Sequence, residues 1–165
     1  MKERTSGAAR LPLVAALVTV ACTVPATVAY AAVPSSASSS TAADRAAAVV
    51  ALVNEEREEA GCDPVTVDRR LTTAAREHSQ DQAEMGEMTH TGSDGSRVGD
   101  RITRTGYEWR KVGENVASGT TSAERAMQLW MNSDAHRANI LNCSFAEIGV
   151  GYADGYWTQD FATPR

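Results

Sequence analysis

The chain is organised around the stretch Trp130-Met131-Asn132-Ser133-Asp134-Ala135-His136-Arg137-Ala138-Asn139-Ile140-Leu141-Asn142-Cys143. Its first residues end an apolar helix, and Ser133 or Asp134 can cap a new helix by accepting its free amide hydrogens. This capping places His136 near the partly positive N-terminus of the new helix, where the imidazolium form is disfavoured. A neutral imidazole at this position could bind a metal or accept a proton.

The spacing of apolar residues predicts helices and strands on both sides of this stretch. It predicts a first helix that is capped by Asp44 and ends at about Ala60, and a second that is capped by Asp68 and ends at about Glu87. Two shorter helices are predicted over 98–105 and after Ser122. The spacing also predicts a short extended segment over 64–67 and two strands, 146–152 and 156–161, joined by an Ala153-Asp154-Gly155 turn. Gly113-Glu114-Asn115 falls in an irregular connection in this interpretation. The sequence therefore predicts several helices followed by a C-terminal β-hairpin.

The first 31 residues have the features of a signal peptide. Lys2, Arg4 and Arg10 precede a mostly apolar run, and Ala29-Tyr30-Ala31 supplies a small-x-small cleavage signal. We therefore predict a mature start near Ala32, a Ser/Ala-rich disordered linker over 32–43 and one domain over 44–165. The alternative is lipidation at Cys22, although Thr19-Val20-Ala21 lacks the leucine usual three residues before a lipidated cysteine.

Cleavage leaves two cysteines, Cys62 and Cys143. An even number in an exported chain indicates a disulfide, and the alternative is two separate buried thiols. A bridge across so long a loop would stabilise the fold by roughly 4–5 kcal/mol as an upper estimate. It would tie the loop after the first helix to the end of the His136 helix.

Composition limits the partners of the mature chain. Beyond residue 31 there are 13 Lys and Arg against 20 Asp and Glu, a net charge of −7 with neutral histidines. This acidity argues against nucleic-acid and anionic-membrane partners. The apolar run of the leader is too short for a permanent membrane span. We therefore expect a secreted, extracellular monomer.

Three polar residues are not required by the apolar periodicity. His90 lies in a turn-rich loop, Glu114 lies between a glycine and an amide, and His136 lies at a helix start. His78 differs because it shares a helix face with Leu71 and Met85. A hydrogen-bonded core role is the more common one for such a histidine, so we predict that His78 is separate from or secondary to the site.

Four segments resemble, in order, the motifs of the CAP superfamily of cysteine-rich secretory, antigen 5 and pathogenesis-related proteins. They are 52–57 (Leu-Val-Asn-Glu-Glu-Arg), the His90-Thr91 loop, Gly113-Glu114-Asn115 and 130–142. The likeness is to short bacterial secreted SCP-domain proteins and runs from about residue 46 to 162. It implies an α+β fold, a three-layer α-β-α sandwich with a central antiparallel sheet.

The same resemblance implies a cleft lined by two histidines and up to two glutamates. Carried over by motif, these are His90, Glu114 and His136, and Ser133 stands where the family usually has its second glutamate. Two imidazoles and a carboxylate could hold a divalent metal such as zinc with one open position, or could form a general-base site. The alternative is a hydrogen-bonded polar cluster that holds loops over the cleft.

Three functional hypotheses follow. The first is a binding or interaction module for an extracellular lipid, glycan or cell-wall component, because the fold and the cleft specify no reaction. The second is a metal-dependent hydrolase that uses His90, Glu114 and His136. The third is a structural or stress-protective extracellular protein. The mature sequence contains neither H-E-x-x-H nor G-x-S-x-G, so no compact catalytic motif supports the second hypothesis.

Overall fold

A computed structural model of the chain describes residues 40–165. Its helices are α1 (Ala42–Glu59), α2 (Arg69–Met85), α3 (Val98–Arg104), α4 (Ala123–Met131) and α5 (Asp134–Ile140). Its strands are β1 (Thr66–Val67), β2 (Trp109–Ser118), β3 (Glu147–Ala153) and β4 (Tyr156–Pro164). The predicted signal peptide, the lipidation alternative at Cys22 and the linker up to residue 39 lie outside the described residues.

Helix α1 begins earlier than the sequence pattern predicted. Thr41, not Asp44, is the N-cap: its side chain accepts from the Asp44 amide, and the Asp44 carboxylate accepts from the Thr41 amide. This reciprocal capping box satisfies two helix-end donors, which explains the earlier start. The predicted linker end at residue 43 is therefore wrong, because residues 42 and 43 belong to α1.

The sheet has the strand order β1-β3-β4-β2. Strands β2, β4 and β3 pair antiparallel, whereas the two-residue β1 pairs parallel to β3, so the sheet is mixed rather than wholly antiparallel. The predicted β3–β4 hairpin is confirmed. Its turn places Asp154 and Gly155 at φ values of 44° and 87°, the left-handed conformation that a tight Asp-Gly turn requires.

Helices cover both faces of this sheet. On one face, α1, α4 and α5 bury a core that includes Val53, Trp130, Ile148 and Phe161. On the other face, α2 and α3 enclose a smaller apolar cluster that includes Leu71. The three-layer α-β-α arrangement expected from the resemblance is therefore confirmed.

Helix α2 packs with its backbone almost directly on β3. A Cβ at Gly149 would lie 2.1 Å from the Leu71 carbonyl carbon, and one at Gly151 would lie 2.2 Å from the Ala75 carbonyl oxygen. Only glycine leaves room for a helix at this distance. The close packing fixes the position of α2, which carries His78 into the layer between helix and sheet.

The disulfide joins Cys62 to Cys143, as predicted, across 81 residues. Beside it, the buried Arg57 of α1 donates to the carbonyl oxygens of Asp63, Ile140, Asn142 and Phe145. The bond to Ile140 satisfies a carbonyl group that the end of α5 leaves without a helical partner, and the other three hold the segments next to the disulfide. The bridge and Arg57 together fasten α5 to α1.

Candidate functional site

Glu114 lies at the centre of a buried charged cluster. It sits within β2, a strand that the sequence pattern missed when it assigned this segment to an irregular connection. Its cross-strand partner on β4 is Asp160, so the two carboxyl groups share one face of the sheet. That face is the one covered by α2 and α3.

Both carboxylate oxygens of Glu114 are engaged. Oε1 lies 2.8 Å from His90 Nδ1, and Oε2 lies 2.5 Å from an Arg101 guanidinium nitrogen. Burial alone would raise the pKa of Glu114, but the hydrogen bond from His90 and the charge of Arg101 outweigh burial and hold the pKa below its usual value. Glu114 is therefore a paired anion in the folded protein.

His90 is the exposed member of the cluster. Its side chain is 58% exposed, whereas that of Glu114 is 3% exposed. The hydrogen bond to Glu114 raises the pKa of His90. The carboxylate thus orients a solvent-facing imidazole through Nδ1 and leaves Nε2 for contact with a ligand.

His78 belongs to this cluster. The ring is buried, with Nε2 2.8 Å from the Thr89 carbonyl oxygen and 3.8 Å from Glu114 Oε2. Burial lowers the pKa of His78, so the neutral ring is favoured. The prediction of a hydrogen-bonded core histidine agrees with these contacts, and of the two predicted positions, separate from the site or secondary to it, the structure favours the secondary one.

Asp160 adds a second buried carboxyl group to the cluster. It is fully buried, and within the described residues neither of its oxygens accepts a hydrogen bond. Burial, followed by the negative charge of Glu114, raises the pKa of Asp160 well above its ordinary value. The neutral form of Asp160 avoids repulsion between the two neighbouring buried carboxyl groups.

His136 approaches β2 from the other side. Asn115, whose side chain points to the face opposite Glu114, donates to the His136 carbonyl oxygen at 3.1 Å. Burial, followed by the charge of His90, lowers the pKa of His136. Ser133 is the N-cap residue of α5, but its side chain accepts no capping hydrogen bond, so the predicted capping interaction is absent.

The structure therefore joins His90 and Glu114 and adds His78, Arg101 and Asp160. Among the described residues, His136 forms no side-chain hydrogen bond to His90 or Glu114, so its membership of the site remains a prediction. Sequence reasoning missed Arg101 and Asp160. The available signal was positional, because Thr158 and Asp160 are polar residues that share one face of a strand and are both buried.

The residues expected to bind zinc, His90, Glu114 and His136, do not form a ligand set in this arrangement. Within residues 40–165, no three His, Cys, Asp or Glu side chains are grouped so as to hold a metal ion. Arg101 places a positive charge against the carboxylate that a cation would need. This positive charge disfavours a cation bound to Glu114.

Comparisons with known proteins decide the family. The sequence profile of the cysteine-rich secretory protein family, CAP, matches residues 50–161. The chain belongs to the CAP family. It is 38% identical over 115 residues to the uncharacterized protein YkwD of Bacillus subtilis (strain 168), which covers 68% of this chain and 45% of YkwD. The CAP resemblance found in the sequence is thus confirmed.

Two further proteins are similar to this chain. An extracellular SCP-domain protein of Bacillus anthracis str. Ames has a crystal structure with a TM-score of 0.70 and 30% identity, covering 72% of this chain and 40% of that one. The uncharacterized membrane protein YlbC of B. subtilis is 28% identical over 113 residues, 68% of this chain and 33% of YlbC. The chain thus spans less than half the length of these relatives. None of the helices within residues 40–165 is both long and apolar enough to cross a membrane.

Proposed function

We propose that this CAP domain is an extracellular binding module whose cleft receives a lipid, glycan or cell-wall ligand at His90. The observation that carries the proposal is the saturation of Glu114. Arg101 and His90 occupy its two oxygens, while more than half of the His90 side chain is exposed. A carboxylate held in this way orients a histidine for binding, and the positive charge of Arg101 beside it disfavours a metal ion.

The ligand chemistry follows from His90. Its Nδ1 is bonded to Glu114, so Nε2 is the ring nitrogen left for a ligand. In the charged ring Nε2 donates, and the raised pKa of His90 favours the charged ring. Oxygen acceptors such as phosphate, carboxylate and sugar hydroxyl groups therefore suit this cleft, and all three occur in lipids, glycans and cell walls.

An extracellular location is supported by three observations. The leader has the order of a signal peptide. The Cys62–Cys143 disulfide is of the kind that persists in oxidising compartments. The similar protein of B. anthracis is itself described as extracellular.

The metal-dependent hydrolase receives less support. It would require His90, Glu114 and His136 to converge, but Glu114 is bonded to Arg101 and the His136 side chain is not bonded to either partner. A turnover assay with ester and amide substrates separates the two functions. Hydrolysis that is lost in His136→Ala would contradict the binding proposal.

The binding test is cosedimentation of the exported protein with isolated cell-wall sacculi and, separately, with anionic phospholipid vesicles. The control variant is Thr91→Ala, an exposed neighbour of His90 in the same loop. We expect saturable binding to one of the two particles, about tenfold weaker in His90→Ala because a charge-assisted hydrogen bond is lost, and unchanged in Thr91→Ala. Equal binding by wild type and His90→Ala would overturn the proposal.

A further inference from the structure

An open pocket lies where β2 begins, beside the end of β4. It has a volume of about 560 Å³, and it is lined by Thr103, Tyr107, Glu108, Trp109, Arg110 and Arg165. None of these residues belongs to the Glu114 cluster. Glu114 lies five residues beyond Trp109 on the same strand, which at about 3.3 Å per residue places it roughly 16 Å away. The pocket is therefore distinct from the cleft to which the binding function was assigned above.

Trp109 gives this pocket an aromatic surface. Of the three tryptophans in the chain, Trp130 and Trp157 are fully buried, whereas Trp109 is partly exposed. Its six-membered ring packs on α3, where a Cβ at Gly99 would lie 3.0 Å from Cζ2. Its Nε1–H donates to Thr103 Oγ1 at 3.0 Å. These contacts fix the orientation of the indole, and the part of the ring that they leave uncovered lines the pocket.

A β-bulge brings Arg110 beside this ring. Trp109 and Lys111 pair with consecutive residues of β4, so Arg110 between them is an extra residue. Such an extra residue turns a side chain out of the regular alternation of a strand, which explains how consecutive residues line one pocket. Arg110 Nε donates to the Pro164 carbonyl oxygen at 2.9 Å. This bond holds the guanidinium group in place and leaves its two terminal nitrogens available to a ligand.

Glu108 and Arg165 complete the polar wall of the pocket. Both residues are exposed. The Arg165 amide donates to the Glu108 carbonyl oxygen at 3.1 Å, which fixes the two backbone segments side by side. The lining therefore combines an aromatic surface with a carboxylate acceptor and guanidinium donors, all of them accessible from solvent.

A sugar ring matches this combination. Its C–H groups form an apolar face that packs on an indole, and its hydroxyl groups both donate and accept hydrogen bonds. Glu108 can accept from one hydroxyl while Arg110 donates to another. A simple anion would use only the guanidinium groups, and a simple cation only the carboxylate. An acyl chain would desolvate these charged side chains without pairing them, which is costly.

We propose that this pocket binds a saccharide, with one sugar ring stacked on Trp109 and its hydroxyl groups bonded to Arg110 and Glu108. The volume lies within the roughly 300–1,000 Å³ typical of small-molecule sites, so a second ring of the same saccharide also fits. This site does not rest on the function proposed for His90, so either can fail without the other.

The test is a fluorescence titration of the exported protein with methyl β-glucopyranoside, whose equatorial substituents leave a continuous C–H face. Because Trp130 and Trp157 are fully buried, a saturable change in tryptophan emission reports on Trp109. We expect a Kd on the order of 1 mM, the affinity that the usual ligand efficiency gives a single sugar ring. Sorbitol is the ligand control. It is a hydroxyl-rich open chain without a rigid ring face, and it should leave the emission unchanged.

Two neighbouring variants on β2 locate the binding. Arg110→Gln removes charge-assisted hydrogen bonds at an exposed position, and we expect it to weaken binding about tenfold. Lys111→Gln removes the same charge one residue away, at an exposed position outside the lining, and should keep the affinity of the wild type. Both variants retain all three tryptophans, so the same emission measures binding in each.

The outcomes separate this site from the His90 cleft. We expect His90→Ala to bind the glucoside as the wild type does. A loss of binding in His90→Ala would place the sugar in the other cleft and overturn this site. The proposal also fails if no saturable change occurs up to about 100 mM glucoside, roughly a hundred times the expected Kd. Equal affinity of Arg110→Gln and wild type, or an equal change with sorbitol, would overturn it too.

Discussion

The two faces of β2 bury polar groups in opposite ways. Glu114 points into a charged cluster with Arg101 and His90, whereas the next residue, Asn115, points into a neutral amide network with Gln159 and Asn139. The charged face reaches solvent through His90. The amide face holds the His136 carbonyl oxygen of α5. One face thus presents a histidine to solvent, and the other fixes the helix beside it.

Breaking the charged face should have the largest effect. Glu114→Gln keeps the shape of the side chain but leaves the buried Arg101 without its counter-charge. We expect a loss of about 3–5 kcal/mol in the free energy of unfolding, the usual consequence of removing one partner of a buried ion pair. Chemical denaturation of the variant and the wild type measures this loss. Glu84→Gln on the exposed surface is the control, and equal stability of all three proteins would show that the pair with Arg101 contributes nothing.

Reduction of the disulfide should cause the second largest loss of stability. The Cys62–Cys143 bridge closes a long loop on the side of α5 that the amide network also holds. We expect its removal to cost about 2–4 kcal/mol and to lower the Tm visibly. Thermal unfolding with and without reductant measures the change, and a thiol assay on the denatured, unreduced protein should find no free thiol. Two free thiols, or an unchanged Tm after reduction, would be incompatible with the bridge.

Breaking the amide face should cost less. Asn115→Ala removes hydrogen bonds to Gln159, Asn139 and the His136 carbonyl oxygen but leaves no buried charge unpaired. We expect a loss of roughly 1–3 kcal/mol. Hydrogen exchange of the α5 amides should accelerate, while those of α2 should not. A loss as large as that of Glu114→Gln would remove the distinction between the two faces.

The Asp160→Asn variant tests how a carboxyl group on the charged face changes stability with pH. The pKa of Asp160 is higher in the folded protein than in the unfolded chain. Between these two pKa values the folded protein keeps a proton that the unfolded chain has released. This carboxyl group therefore lowers stability progressively as pH rises from about 4. Asparagine cannot ionise, so the variant should gain stability relative to wild type between pH 4.5 and pH 8. Urea unfolding at both values measures the gain, and a constant difference would show that Asp160 has an ordinary pKa.

The elements of the fold differ in how far the sequence predicts them. Helix caps at Asp68 and Ser122, the Asp154-Gly155 turn and the pairing of Cys62 with Cys143 follow from local residue chemistry, and the structure contains them. Strand β2 does not follow in this way. Its central residues Glu114 and Asn115 point to opposite buried networks, so the strand has no apolar alternation to detect.

The candidate site was predictable only in part for the same reason. His90 and Glu114 stand out because no apolar pattern requires them, and the resemblance to the CAP family brings them together. Arg101 and Asp160 lie within ordinary helical and strand patterns, and their role depends on which residues face them across the layers. Such pairings between distant segments are set by tertiary packing. The spacing of residues within one segment does not predict them.

We propose that Arg101 and His90 hold Glu114 as a structural carboxylate, so that His90 contacts an organic ligand and does not bind a metal. Calorimetric titration of zinc into the wild type and into His90→Ala tests it most directly. The account predicts the same weak or absent heat in both proteins, because Arg101 already occupies the carboxylate. Stoichiometric zinc binding by the wild type that is lost in His90→Ala would contradict it.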